Sequence, residues 1–296
     1  MRRLLTAGVS AVLLISSACS SGAVAAPEVS MPTATTASVT QAKTFRALEQ
    51  QYSARLGVYA LDTGSRRTVS YRANERFAFA STFKSLACGV LLRQAKDLDK
   101  LIHYTAADLV SYSPITEKHV DTGMTLRELC DAAIRFSDNT AANLILAELG
   151  GPAALQTALR KLGDGVSRVN RNEPTLNENT PGDTRDTTTP RQLATSLQKF
   201  TLGRALPPAK QAILNAWLVG NTTGDKTIRA GVPKDWKVGD KTGTANYGGR
   251  NDVAVIWPPN RAPIMLAIMS TKDVKDAPTD DALIAAAAAA AVKTLG

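Results

Sequence analysis

The stretch FAFASTFKSLACGVLLRQA, residues 77–95, decides how the rest of the chain is read. Its apolar run predicts a buried helix, yet Ser81 and Lys84 sit near the start, three residues apart. At that spacing both project from one helical face, so the amine can reach the hydroxyl. An ammonium carried into an apolar interior must lose its charge or find a partner. The ordinary alternative is a lysine that snorkels outward to water.

Working outward, 296 residues with 44% hydrophobic content suffice for one large domain or two smaller ones. At the N-terminus, Arg2 and Arg3 precede an apolar stretch ending near Ala18, which reads as a secretory signal peptide over residues 1–25. It is too short for a conventional membrane span. Two processing routes are open: cleavage after Ala25 in AVA, or lipid attachment to Cys19 in SSAC. Ser16 stands where a lipoprotein signal usually carries Leu, Val or Ile, and the paired arginines also fit twin-arginine export. The expected destination is secreted, periplasmic or attached to the cell envelope. Cys88 and Cys130 then remain, both on apolar helical runs, and in an oxidising compartment they are expected to form a disulfide between two core helices. Two buried free thiols are the alternative.

The formal charge is +9, and +7 once Arg2 and Arg3 leave with the signal. The basic residues are scattered among acids, without interleaved aromatics, so a solvated surface is expected and nucleic acid is not. His103 and His119 lie apart without ligand spacing, so neither a metal nor another cofactor is called for.

Residues 26–42 read as an unstructured Ala/Thr/Ser/Pro leader, and Phe45, Leu48, Tyr52 and Leu56 mark an amphipathic helix after it. LGVYALD and RTVSYR, joined by DTGS, predict a hairpin. From Ser81 to about Val219 the pattern is helical, interrupted by a polar loop from Arg168 to Thr188. WKVGDKTGTA, RNDVAVIWP and APIMLAIMST are strand-like, and DDALIAAAAAAAVKTL is a last helix. The economical fold is α/β of the α+β sandwich type: a five-stranded antiparallel sheet with N- and C-terminal helices from residues 43–75 and 220–296, and an all-helical insertion over 76–219. The cleft between the two is the expected active site.

Four polar motifs occur in order: STFK at Ser81–Lys84, SDN at Ser137–Asn139, EPTLN at Glu173–Asn177 and KTGT at Lys241–Thr244. Singly they read as a helix cap or turns. Together, in this order, they resemble the motifs of the class A serine β-lactamases, from about residue 43 to the end, including YSPITEKH and RELCDAAIRFSDNTAANLIL. The resemblance implies hydrolysis of penicillins and cephalosporins, and so antibiotic resistance, by a monomer acting through a Ser81 acyl-enzyme. It implies backbone N–H groups of Ser81 and Thr244 as the oxyanion hole and Ser137 as the proton donor to the lactam nitrogen. Asn139 would hold the antibiotic's amide, Lys241, Thr242 and Arg250 would meet its carboxylate, and Gly243 would lie in the same substrate-binding site. Tyr112 would wall the cleft, and Glu173 with Asn177 would activate water for deacylation. The implied ion pair Arg171–Asp186 would tie the loop. Ala80 and Ala245 stand where some carbapenem-hydrolysing members carry a disulfide. The alternatives are a D-Ala-D-Ala carboxypeptidase, whose relatives share the serine-lysine pair but lack the Glu-x-x-Leu-Asn element, and a penicillin-binding sensor, which is expected to carry a membrane-linked signalling segment that is not visible in this sequence.

Overall fold

The alternation in LGVYALD puts apolar side chains on both faces of one strand, which requires a core on each side. In a computed structural model describing residues 36–296 and the isolated positions 8 and 11, that strand is β1 (Arg55–Asp62), and it is nearly all buried. Arg2, Arg3, Cys19 and Ala25, which carry the export expectations, lie outside the described residues. The turn after β1 closes because the Asp62 carboxylate accepts from the N–H groups of Gly64 and Ser65 at 2.9 and 3.0 Å. β2 (Thr68–Tyr71) then returns antiparallel.

The other long strands come from the far end of the chain: β7 (Lys237–Ala245), β8 (Gly249–Trp257) and β9 (Ile264–Thr271). They complete a five-stranded antiparallel sheet in the order β2-β1-β9-β8-β7. Leu56, Val58, Ala60, Ala254, Ile256, Leu266 and Ile268 face one core, closed by helices α1 (Thr36–Tyr52) and α9 (Asp281–Leu295). Tyr59, Leu61, Val253, Val255, Met265 and Ala267 face the other. There they meet the helices α2 (Phe83–Gln94), α3 (Leu126–Arg135), α4 (Asn139–Glu148), α5 (Pro152–Lys161), α6 (Pro190–Thr201) and α7 (Pro208–Val219). The short α8 (Ile228–Gly231) precedes β7. The alanines of α9 serve close packing: Ala287, Ala288 and Ala291 are fully buried. Among the described residues, no helix is long and apolar enough to cross a membrane.

Helix starts follow local chemistry. Thr125 and Glu128 form a reciprocal capping box on α3, and Asp138 caps α4 by accepting from Ala141 N at 2.8 Å.

Four expectations need correction. Leu56 opens β1 rather than closing a helix, because α1 ends at Tyr52 and Ala54 begins the turn into the sheet. α1 begins at Thr36, so helix occupies the last part of the stretch read as leader. The segment 76–219 is not all-helical: β3 (Phe77–Ala78) pairs with β6 (Thr187–Thr188), and β4 (Leu101–Ile102) with β5 (Met124–Thr125). Such two-residue pairings are too short to leave a period-2 pattern in sequence. Finally, Cys88 and Cys130 are both free and buried. The Cys88 thiol points at the Cys130 carbonyl, 3.9 Å away, and burial pushes the Cys130 thiol well up, toward the unreactive neutral form.

Phe45 anchors α1, 1% exposed and with its ring centroid 5.4 Å from that of Tyr71. Phe45→Ala should lower stability by about 3–5 kcal/mol, read from urea unfolding. Catalytic constants should be unchanged, because this core lies on the sheet face away from α2.

Candidate active site

Ser81 lies in a 3-10 turn, Ala80–Thr82, that runs directly into α2. Ala80 is held at φ +46°, a left-handed conformation that a non-glycine residue adopts only when its surroundings impose it. Two neighbours impose it. Asn251 of β8 donates to the carbonyls of Ala78 and Phe79 at 2.8 and 3.2 Å. Gly243 of β7 passes so close that a Cβ there would lie 2.9 Å from the Phe79 carbonyl oxygen and 3.1 Å from Ala80 Cβ. Glycine is therefore required for the strand to lie against the serine turn.

Lys84 is fully buried, so it does not snorkel. Its Nζ is 3.1 Å from Glu173 Oε1 and donates to the Ser137 carbonyl at 2.7 Å and to Asn139 Oδ1 at 2.6 Å. Burial lowers its proton affinity, and the Glu173 carboxylate opposes that shift. The expected direct bond to Ser81 is replaced: among the described residues the Ser81 hydroxyl donates to Glu173 Oε1, at 3.3 Å. Serine and lysine thus meet on one carboxylate oxygen. Asn177 Nδ2 donates to Glu173 Oε2, and Asn177 Oδ1 is buried without a protein donor. Asn143, on α4, clamps the Glu173 backbone from both sides, accepting from its N–H and donating to its carbonyl, each at 2.9 Å.

The loop carrying Glu173 is tied as the resemblance implied. Arg171 Nε lies 2.6 Å from Asp186 Oδ2, and the other oxygen of this fully buried carboxylate accepts from the N–H groups of Asn170 and Arg171 at 2.8 and 3.0 Å.

Across the site, Ser137 sits at φ +58°, just before Asp138 caps α4. Asp138 also accepts from the N–H groups of Ile115 and Thr116, fixing the segment that carries Tyr112. Lys241 is fully buried, and its Nζ donates to Ser137 Oγ at 3.0 Å rather than facing the cleft. Burial and the nearby Lys84 charge bring Lys241 down to about 7. Behind it, Asp240 and Asp252 are buried acids. Burial and Asp240 push Asp252 up to about 8.

A cavity of about 390 Å³ opens over these groups, lined by Ser81, Ser137, Asn139, Asn177, Thr242, Gly243, Thr244 and Arg250, with Tyr112 61% exposed at its wall. Asn139 is already engaged, its Oδ1 by Lys84 and its Nδ2 by the Ser111 carbonyl at 2.8 Å. Arg250 is held on Asp281 at 2.6 Å and on Thr244 Oγ1 at 2.9 Å. Arg229 is no spare cation, since Asp240 holds it at 2.6 Å. Asn143, Asn251 and Thr223, whose hydroxyl is 2.5 Å from that of Thr242, escaped the sequence reading. Asn143 left one signal, a polar side chain one turn after Asn139 in an apolar helix. Among the described residues, no cluster of His, Cys, Asp and Glu could hold a metal.

A serine whose proton can pass to a buried carboxylate-amine pair, in a cleft lined by hydroxyls and a fixed cation, is equipped for acyl transfer. Comparison makes the assignment specific. The beta-lactamase enzyme family model matches residues 40–295. Beta-lactamase 3 of Bacillus cereus is 58% identical over 253 residues, covering 85% of this chain and 80% of that protein. Beta-lactamase AST-1 of Nocardia asteroides is 53% identical over 300 residues, covering 100% and 96%. The crystal structure of a class A beta-lactamase from Clostridium kluyveri DSM 555 superposes with a TM-score of 0.86 at 51% identity, covering 87% of this chain and 99% of that one. The chain belongs to the β-lactamase enzyme family, in class A.

Lys241 supplies a pH test. Its folded value of about 7 lies below the unfolded 10.5, so burying it costs stability fully below pH 7, and the cost disappears as pH rises from 7 to 10.5. Lys241→Met should therefore gain stability relative to the parent at pH 6, and much less at pH 9.5. Thermal unfolding at the two pH values measures the difference, and an equal shift at both would refute the assignment.

Proposed function

We propose that the chain hydrolyses the β-lactam amide of penicillins and cephalosporins, and so confers antibiotic resistance, through an acyl-enzyme on Ser81. The observation carrying this reading is Glu173 Oε1, within 3.3 Å of the Ser81 hydroxyl and 3.1 Å of the Lys84 amine.

Ser81 Oγ attacks the lactam carbonyl while its proton passes to the Glu173–Lys84 pair. Backbone N–H groups of Ser81 and Thr244 receive the developing oxyanion. The ring C–N bond breaks as Ser137 protonates the nitrogen, with Lys241, poised near neutrality, resupplying the serine. Once the acylation proton has left the Glu173–Lys84 pair for solvent and Lys241 has regained one from it, Glu173 takes a proton from the water that attacks the ester, and the ester C–O bond breaks as Ser81 recovers its proton. The unpartnered Asn177 Oδ1 beside Glu173 supports that last step, because it accepts the water's second hydrogen.

Thr242, Thr244 and Arg250 take the substrate carboxylate, with Lys241 contributing charge from beneath, and Asn139 and Tyr112 border the amide side chain. The sheet from both chain ends and the helical segment 76–219 act as the two walls of the cleft. Export through residues 1–25, with cleavage after Ala25 or a lipid on Cys19, would place a monomer where the antibiotics act. A D-Ala-D-Ala carboxypeptidase or a penicillin sensor has no use for a carboxylate seated on the nucleophile.

Steady turnover of a chromogenic cephalosporin by purified protein tests the reading; a single stoichiometric burst would favour the peptidase. Ser81→Ala should give no penicilloyl adduct by intact-protein mass spectrometry. Glu173→Ala should still acylate but accumulate the ester, because loss of a general base costs about 10² to 10⁴ in rate. Turnover by Glu173→Ala at the parental rate would sink the assignment.

Arg250→Ala should lower kcat/KM for penicillins about ten- to a hundredfold, the worth of one charge-assisted contact. Most of the loss should appear in KM. Unchanged kinetics would leave Arg250 as only a strut between β8 and Asp281.

A further inference from the structure

A second cavity, of about 270 Å³, lies against the Arg168–Thr188 loop and shares no lining residue with the Ser81 cleft. Its walls carry five cations, Arg55, Arg76, Arg171, Arg185 and Lys272, against two acids, Asp183 and Asp273. Four of these cations have carboxylate partners: Glu75 for Arg55, Asp186 for Arg171, Asp183 for Arg185 and Asp280 for Lys272. Arg76 has none. Its guanidinium is fixed by neutral acceptors only, Thr187 Oγ1 at 3.0 Å and the Val166 carbonyl at 2.8 Å.

Arg168, on the loop, is in the same condition. It donates to the hydroxyl of Thr184, a wall residue, and its backbone bridges to Thr187, the residue whose hydroxyl Arg76 holds. Among the described residues neither arginine forms an ion pair. Burial and the Arg168 charge both lower the proton affinity of Arg76, and the nearby Asp164 carboxylate offsets them only in part. A guanidinium cannot shed its proton to escape that cost, and an anion seated against it would relieve it.

We propose that this cavity is a binding site for a small multivalent oxyanion, of phosphate type, taken between Arg76 on the body of the protein and Arg168 on the loop. Each guanidinium retains N–H groups in the planar fork that suits such an oxyanion, and the hydroxyls of Thr184 and Thr187 lie between them. The outer wall, residues 179–185, belongs to the loop that carries Glu173 and Asn177, so a bound anion adds a tie between that loop and the body.

Inorganic phosphate, titrated into the parent protein at constant ionic strength and followed by calorimetry and thermal unfolding, is the probe. Binding should saturate with a midpoint on the order of 1 mM, the affinity of a few charge-assisted contacts. It should raise the unfolding temperature in step. Arg76→Gln and Arg168→Gln should each weaken binding by roughly tenfold or more, the loss of one such contact. Both should keep parental penicillin turnover in phosphate-free buffer. Arg168 is exposed, so its variant carries the test if Arg76→Gln fails to fold. Arg250→Ala should leave phosphate binding unchanged. A response that never saturates, or is the same in the arginine variants, would reduce the effect to general salt and overturn the proposal. Loss of binding in Arg250→Ala alone would place the anion in the substrate cleft and overturn it equally.

Discussion

The buried ammonium of Lys84 is the constraint around which the site is assembled. It has no water to solvate it, so its hydrogen bonds must come from protein, and they come from three separate segments: the turn at Ser137, the first residue of α4 and the loop at Glu173. Removing any one partner from a fully buried charge costs several kcal/mol, which couples these segments energetically. Glu173 in turn lies on a loop with little regular structure of its own. Its position depends on Asn143 from α4 and on the Arg171–Asp186 pair. The network that charges the nucleophile's surroundings is thus the one that holds the helical layer and the loop together.

The sheet supplies the second wall by an economy of position. β7 is an edge strand, so one side of its backbone has no strand partner. An unpaired edge is ordinarily a hazard, because any extended chain can add to it. Here it faces the cleft, and Gly243 allows it to lie within van der Waals distance of the serine turn. The backbone groups of Thr244 and its neighbours are therefore available to pair with an amide-bearing ligand, in the manner of a strand added to a sheet.

The architecture was legible where periodicity is strong. The β1–β2 hairpin, the three C-terminal strands and the alanine-rich α9 each announce themselves through turn residues or alternation. The helix cap at Asp138, within Ser137–Asn139, was legible for the same local reason. What escaped depends on distance in sequence. Nothing in STFK tells that the Ser81 proton points to Glu173, 92 residues away, instead of to Lys84, because both arrangements use the same side chains. Nothing in KTGT tells that Lys241 turns inward onto Ser137, 104 residues away. Asn251 reads as an ordinary strand residue until the carbonyls it holds are seen to belong to the turn before the nucleophile. Cys88 and Cys130 show the converse: two cysteines on neighbouring core helices suggested a bond, but proximity alone does not form one.

Charge ties these features together. Lys84 and Lys241 flank Ser137 from opposite sides, one on its carbonyl and one on its hydroxyl, and each makes a proton on the other less favourable. Glu173 offsets the first lysine, while Asp240 and Asp252 offset the second only in part, because Asp252, at about 8, remains mostly protonated at neutral pH. Lys241 is left close to its titration point. An anionic group arriving over Thr242 and Arg250 favours the protonated amine, and by linkage the protonated amine favours the anion. Binding of a carboxylate and loading of a proton beside Ser137 are then one thermodynamic event. In the proposed reaction, that coupling would load the serine hydroxyl with its proton when a ligand is present to receive it.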